Sequence, residues 1–386
     1  MKKFSKTWIA LILVLALAMS FGLSACGGTT EDPATDDPGV GDTNTEAPET
    51  ETPEVLATEP PADEAEGNPF ELFAYDLPSG IKKPNEQAGT VTEEHYTTYV
   101  YDENGVPGEA MEAALYVYTP YGYDPANQYN ILYLMHGGGE DSGYWFGVGP
   151  YAEGGERYNK AQQSYTTNVV DNMIVNGDCD GVIIVTPTFY NNFNATGDLT
   201  RFRYEMKNDI IPMVEAKYST YAGGDVSAEN LIATRDHRAY AGLSMGSMTG
   251  FQAIWCGCVD YFSYIGNFSG WAIADAGADG LAYADTILSA KAENFADYDI
   301  NYWYNGSGSK DIAREPHVMG YAAMLEKGSD FLQEGEDYAN GDNCIMVDKP
   351  EKGHSYNNWL VDLYNVLNVF FKAPRSQLLG NGRRIF

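Results

Sequence analysis

The sequence predicts an α/β fold with a mostly parallel central sheet flanked by helices. Short apolar runs recur along the chain, among them Ile131-Leu132-Tyr133-Leu134-Met135 and Val182-Ile183-Ile184-Val185. The longer intervals between them can hold helices, and some show an apolar stripe at helical spacing. Strands that read as continuous apolar runs, without alternation, are those covered on both faces, as parallel strands with crossover helices are.

The elements follow in chain order. Lys2, Lys3 and Lys6 precede an apolar run from Trp8 to Met19, which ends near Leu23-Ser24-Ala25-Cys26. A basic start, a short apolar core and small residues describe a secretory signal over residues 1–25. The run is shorter than the roughly 20 residues a spanning helix needs. Small residues before Cys26 resemble the lipobox of bacterial lipoproteins, which implies cleavage there and diacylation of the thiol. Two acyl chains suffice for stable anchoring. The expected location is therefore the outer face of the cell membrane, with the membrane contacted only through Cys26.

Between Gly27 and Glu66 there is no Lys, Arg or aromatic residue, and Thr, Pro, Asp and Glu dominate. Such a polymer cannot bury enough apolar area to offset its ordering entropy, so residues 26–67 read as a disordered acidic tether. Much of the formal net charge of −32 lies there. No basic patch suited to nucleic acid appears elsewhere.

A single globular domain is expected over residues 68–373, followed by a tail at 374–386. Residues 90–101 and 111–119 read as strands joined at the Asn104-Gly105 turn. Further strands are expected at 129–135, 181–185, 238–243, 261–268, 300–304 and 344–347. Helices are expected at 205–218, 247–255 and 355–372, the last with Trp359, Leu360, Leu363, Val366, Leu367 and Phe370 on one stripe. Cys179, Cys256, Cys258 and Cys344 allow three disulfide pairings, and spacing does not choose among them.

The chemistry centres on Gly242-Leu243-Ser244-Met245-Gly246. A strand runs into it and a helix is expected after it, which is the context of the nucleophile elbow of α/β-hydrolases. A serine hydroxyl needs a base, and in that fold the acid and then the histidine follow the serine. His354, in the loop before the last helix, is the expected base. His317, in a polar segment, is expected to face solvent or substrate. Asp311, after the glycine-rich run Gly306-Ser307-Gly308, is the expected acid, with Glu315 as the fallback. A common alternative role for such an Asp is a helix N-cap. Oxyanion donors are expected from the Met245 amide and from Gly137 or Gly138 in His136-Gly137-Gly138-Gly139, with His136 orienting that loop.

These motifs, with Thr119-Pro120-Tyr121-Gly122-Tyr123, Tyr133-Leu134-Met135-His136-Gly137, Gly353-His354 and Phe268-Ser269-Gly270, resemble the esterase D group. That group includes the feruloyl and acetyl xylan esterases of carbohydrate esterase family 1. The resemblance covers residues 90–372. It implies a triad of Ser244, Asp311 and His354 that works without a metal or other cofactor. Ser247 departs from the family's second glycine, which bears on helix packing more than on chemistry. The implied substrate is a feruloyl or acetyl ester on a xylan-like polysaccharide. Tyr144, Trp145, Trp271 and Trp303 are candidate walls for it, since aromatic faces pack against sugars and rings. Other esters, such as siderophore or simple esters, acyl transfer, or a non-catalytic glycan-binding role on the same fold, are the alternatives.

Overall fold

The computed structural model describes residues 71–159 and 164–372. The expected signal segment, Cys26, the tether and the C-terminal tail lie outside the described residues.

Eight strands form one sheet: β1 (Thr90–Tyr101), β2 (Pro107–Thr119), β3 (Asn130–Met135), β4 (Val182–Thr186), β5 (Arg238–Leu243), β6 (Tyr264–Phe268), β7 (Tyr302–Gly308) and β8 (Cys344–Lys349). Their spatial order is β1-β2-β4-β3-β5-β6-β7-β8. β1 and β2 pair antiparallel, β2 meets β4 antiparallel, and every later pairing is parallel. With helices on both faces, this is the α/β-hydrolase architecture.

The apolar runs are strands because both faces of the sheet are covered. In β3, Ile131, Tyr133 and Met135 enter one core while Leu132 and Leu134 enter the other. Alternate side chains of a strand point to opposite faces, so a strand buried on both sides must be apolar throughout. The helix Tyr356–Val369 covers one face with Leu360, Leu363, Val366 and Leu367. The helix Arg314–Lys327 covers the other with Tyr321 and Met324.

The expected boundaries hold closely at β1, β3 and β5 and shift elsewhere. Tyr261 and Phe262 turn back onto Cys258 O before β6 begins, so that strand is shorter than its apolar run. β7 starts later and runs through Gly306-Ser307-Gly308, which sequence alone suggested as a flexible turn. Its glycines are there for close approach. A Cβ on Gly306 would lie 1.9 Å from Asp362 Oδ1, and one on Gly308 would lie 2.2 Å from Lys352 O.

The helix across residues 202–217 contains a π-helical stretch at Met206–Ile210. Pro212 follows it. Proline donates no backbone hydrogen bond, and the ladder widens where that donor is missing. The start of this helix carries a buried carboxylate, Glu205. It accepts from the Tyr96 hydroxyl (2.8 Å), Asn191 Nδ2 (2.7 Å) and Asn192 Nδ2 (3.0 Å). No disulfide links Cys179, Cys256, Cys258 or Cys344 among the described residues.

Candidate active site

Ser244 sits between β5 and the helix that begins at Met245, with φ 51° and ψ −115°. A non-glycine residue with positive φ is strained, and it persists only where its surroundings over-determine it. Here those surroundings are backbone. A Cβ on Gly242 would meet Gly246 C at 2.6 Å, and one on Gly246 would meet His136 O at 2.4 Å. The Ser244 N–H donates to Phe268 O at 2.8 Å, tying the elbow to the neighbouring strand.

Asp311 and His354 follow β7 and β8, two adjacent parallel strands, so both arrive at the same end of the sheet as Ser244. His354 Nε2 lies 3.0 Å from Ser244 Oγ, and His354 Nδ1 lies 2.8 Å from Asp311 Oδ1. The histidine ring stands edge-on to Trp359, with its side chain 11% exposed, while the Asp311 side chain is fully enclosed. Burial opposes ionisation of Asp311. The hydrogen bond and charge of His354, the nearby Ser269 hydroxyl and the Ala313 amide outweigh it and hold the carboxyl below its ordinary value. An ionised acceptor on Nδ1 leaves Nε2 with its lone pair toward the serine, as a base requires.

The Asp311 Oδ1 atom also accepts the Ala313 N–H at 2.8 Å. It therefore braces the turn into the helix Arg314–Lys327 while it holds the histidine. The fallback acid, Glu315, is exposed in the first turn of that helix.

His317 requires a correction, because it faces neither solvent nor substrate. It is completely buried, accepts the Gly270 N–H on Nδ1 at 3.3 Å, and lies 3.1 Å from Asn305 Oδ1 through Nε2. Burial lowers its pKa to about 3, so the ring stays neutral. The helix that carries it packs that face onto the sheet, which the polar run around it concealed.

Three of the four candidate aromatic walls are also core residues. Trp145, Trp271 and Trp303 are buried, and their indole N–H groups donate to Met135 O, Gly280 O and Asn267 Oδ1. A tryptophan whose one polar atom is satisfied inside has no reason to face a ligand. Tyr144 alone is half-buried and lines a cavity of about 210 Å³ with Phe146, Tyr151, Arg157, Tyr158 and Tyr356. Tyr356 is two residues beyond His354, and Tyr144 is hydrogen-bonded to Glu140.

The glycine loop after β3 differs from expectation in one respect. The Gly137 N–H donates to Glu140 Oε2 at 2.7 Å and is committed there. The Gly138 amide takes no partner among the described residues, and Met245 opens its helix, where amides lack intrahelical acceptors. His136 is buried and bridges Gly137 O and the Thr188 hydroxyl, each at 2.8 Å. Burial brings its pKa down to about 4, so it holds the loop as a neutral ring. Glu140 went unnoticed in the sequence, since a single Glu in a loop carries no periodic signal, and Ser269 was seen only as part of Phe268-Ser269-Gly270, with no role beside the acid.

The Esterase family model matches residues 109–367. Endo-1,4-beta-xylanase Y of Acetivibrio thermocellus is 36% identical over 210 residues, covering 53% of this chain and 17% of that protein. An endo-1,4-beta-xylanase/feruloyl esterase of Xylanibacter ruminicola is 26% identical over 229 residues, covering 57% of this chain and 25% of that protein. The chain thus spans a quarter or less of the length of these curated relatives. Among solved structures, a mutant feruloyl esterase module from Clostridium thermocellum complexed with sinapinate is 30% identical. Its TM-score is 0.62, and the match covers 77% of this chain and 93% of that one. A ferulic acid esterase from Anaeromyces mucronatus shares the fold at 18% identity and a TM-score of 0.56, over 78% of this chain and 97% of that one.

Proposed function

The chain belongs to the Esterase family, and from that premise we propose that it is a serine esterase cleaving feruloyl or acetyl esters on xylan-like polysaccharides. The observation that carries this reading is the hydrogen-bonded series from Ser244 Oγ through His354 to Asp311, with the serine held at positive φ.

In the proposed mechanism His354 Nε2 takes the Ser244 proton as Oγ attacks the ester carbonyl carbon. The Met245 and Gly138 amides donate to the oxygen that becomes negative. One such donor is typically worth about 3 kcal/mol in the transition state. His354, protonated and held by Asp311, then gives its proton to the departing sugar hydroxyl as the ester C–O bond breaks. Water attacks the acyl-serine by the same route in reverse and releases the acid.

The substrate class is supported by the names of the relatives and by the aromatic cavity beside the glycine and His354 loops. On the sequence alone we further propose that Cys26 is diacylated and that residues 26–67 hold the enzyme off the outer face of the membrane.

Hydrolysis of methyl ferulate, acetylated xylan and a short-chain nitrophenyl ester tests the activity. Turnover of at least one is expected, and Ser244→Ala should abolish it. Absence of turnover on all three, or turnover indifferent to that substitution, refutes the reading. Cys26→Ser should release the protein from the membrane fraction, and its persistence there refutes anchoring.

A further inference from the structure

Glu140 closes the glycine loop that follows β3. Its Oε2 accepts the Gly137 N–H at 2.7 Å, and the Tyr144 hydroxyl bonds the same carboxyl group. The point that a Gly137 Cβ would occupy lies 3.2 Å from Glu140 Oε2 and 3.3 Å from Ser244 Cβ. The carboxyl oxygen and the Ser244 side chain therefore both reach the same point beside Gly137. When Ser244 attacks an ester carbonyl carbon, a carbonyl oxygen reaching the neighbouring Gly138 amide becomes negative near that carboxyl. A carboxylate at this point repels the developing charge, whereas a carboxylic acid does not.

Building on the esterase reading, we propose that Glu140 is a positioning residue that holds the glycine loop as a neutral acid, and that its ionisation suppresses ester hydrolysis. The surroundings favour the neutral form. Burial raises the Glu140 pKa to about 8, the Gly137 amide and Tyr144 oppose that rise, and Asp141 adds to it while Arg157 subtracts. Arg157 is itself occupied, donating to Gly139 O at 3.1 Å and standing 3.5 Å from Asp141. Burial keeps the other groups on the loop, His136 and Tyr144, uncharged at neutral pH. The Gly139 amide donates to the Tyr190 hydroxyl, also raised by burial, which leaves Glu140 as the loop's one group titrating just above neutrality.

The test measures kcat/KM on methyl ferulate from pH 6 to 10 for the wild type, Glu140→Gln and Glu140→Ala, with thermal melting over the same range. The wild type should lose activity about tenfold to hundredfold across a midpoint near pH 8, a size set by one unit charge at short range in a partly screened site. Glu140→Gln keeps an acceptor for Gly137 and cannot ionise. It should match the wild type within about threefold at pH 7 and lack the alkaline fall. Glu140→Ala should be about tenfold to hundredfold slower at every pH, because the loop loses its brace.

An alkaline fall unchanged in Glu140→Gln overturns the proposal. So does a wild type with no fall between pH 7 and 9, which decides the matter even where Glu140→Gln folds poorly. Should no ester be hydrolysed at all, the esterase reading fails separately, and melting still decides the state of Glu140. A melting temperature that drops through pH 8 in the wild type but not in Glu140→Gln supports a neutral acid, and parallel profiles overturn it.

Discussion

Replacing Asp311 by asparagine separates two contributions that usually disappear together, the charge of the proposed triad acid and its control of the histidine tautomer. In many triads an asparagine turns its amide toward the histidine and imposes the wrong tautomer, at a cost of about 10⁴ in kcat. Here the geometry opposes that rotation. The same Oδ1 that meets His354 Nδ1 at 2.8 Å also accepts the Ala313 N–H at 2.8 Å, a donor that cannot become an acceptor. An asparagine satisfies both only by presenting its carbonyl, which leaves Nδ1–H donating and Nε2 free to act as a base. What Asp311→Asn removes is then the attraction between carboxylate and imidazolium. At roughly 4 Å between charge centres and an effective dielectric of about 20, that is about 4 kcal/mol, or about 10³ in kcat. Asp311→Ala removes the acceptor as well and should fall by about 10⁴ or more. Steady-state hydrolysis of a nitrophenyl ester at pH 7 measures both. Equal rates for the two variants would refute the claim that Ala313 fixes the carbonyl, and a near-normal Asp311→Asn would remove Asp311 from the site altogether.

The two histidines beyond Ser244 should respond in opposite ways. His354→Ala is expected to lose about 10⁴ or more in kcat with little change in melting. His317→Ala should keep turnover within about tenfold but lose about 1–3 kcal/mol of stability, because the buried Gly270 N–H loses its acceptor. Denaturant titrations with parallel kinetics distinguish the pair, and His317→Asn, which restores an acceptor near the Nδ1 position, should recover most of that loss. Glu205 makes stability depend on pH. Burial raises its folded pKa to about 7, above the unfolded value, so its contribution is complete below about pH 4.5 and is lost as pH rises through 7. From this group alone the protein should be about 3 kcal/mol less stable at pH 8 than at pH 4.5. Urea midpoints across that range, flattened in Glu205→Gln, measure the effect, and an unflattened profile would assign it to another group.

The parallel strands were legible because burial on both faces writes an unbroken apolar run, as in β3 and β5. The end of β7 was not legible, since Gly306 and Gly308 look like a loop until the Asp362 side chain and Lys352 carbonyl are seen pressing on them. The Gly-x-Ser-x-Gly motif pointed to Ser244 and chain order to His354, but chain order left Asp311 and Glu315 both open as the acid, and only the family resemblance implied Asp311. The same reasoning could not separate a histidine turned into the core from one turned outward. His317 lies among Arg314, Glu315 and Pro316, and only the packing of its helix face onto Asn305 and Gly270 decides its direction. The direction of the tryptophans was hidden for a related reason, since an indole serves a core as readily as a ligand wall, and the structure buries Trp145, Trp271 and Trp303. Glu140 was invisible because its importance comes from what Gly137 does with its amide, and composition holds no trace of that.

The cysteines have a practical consequence. Burial pushes the thiols of Cys179, Cys256 and Cys258 up to about 12, so at neutral pH about one in 10⁵ is a reactive thiolate. With no covalent cross-link joining distant parts of the described chain, the folded state is defined by packing alone, and its melting should be indifferent to dithiothreitol or glutathione. The domain can therefore be produced in a reducing cytoplasm and refolded from denaturant without an oxidant or an isomerase. Among the described residues, the redox state of the surroundings in which the domain folds should leave no disulfide behind.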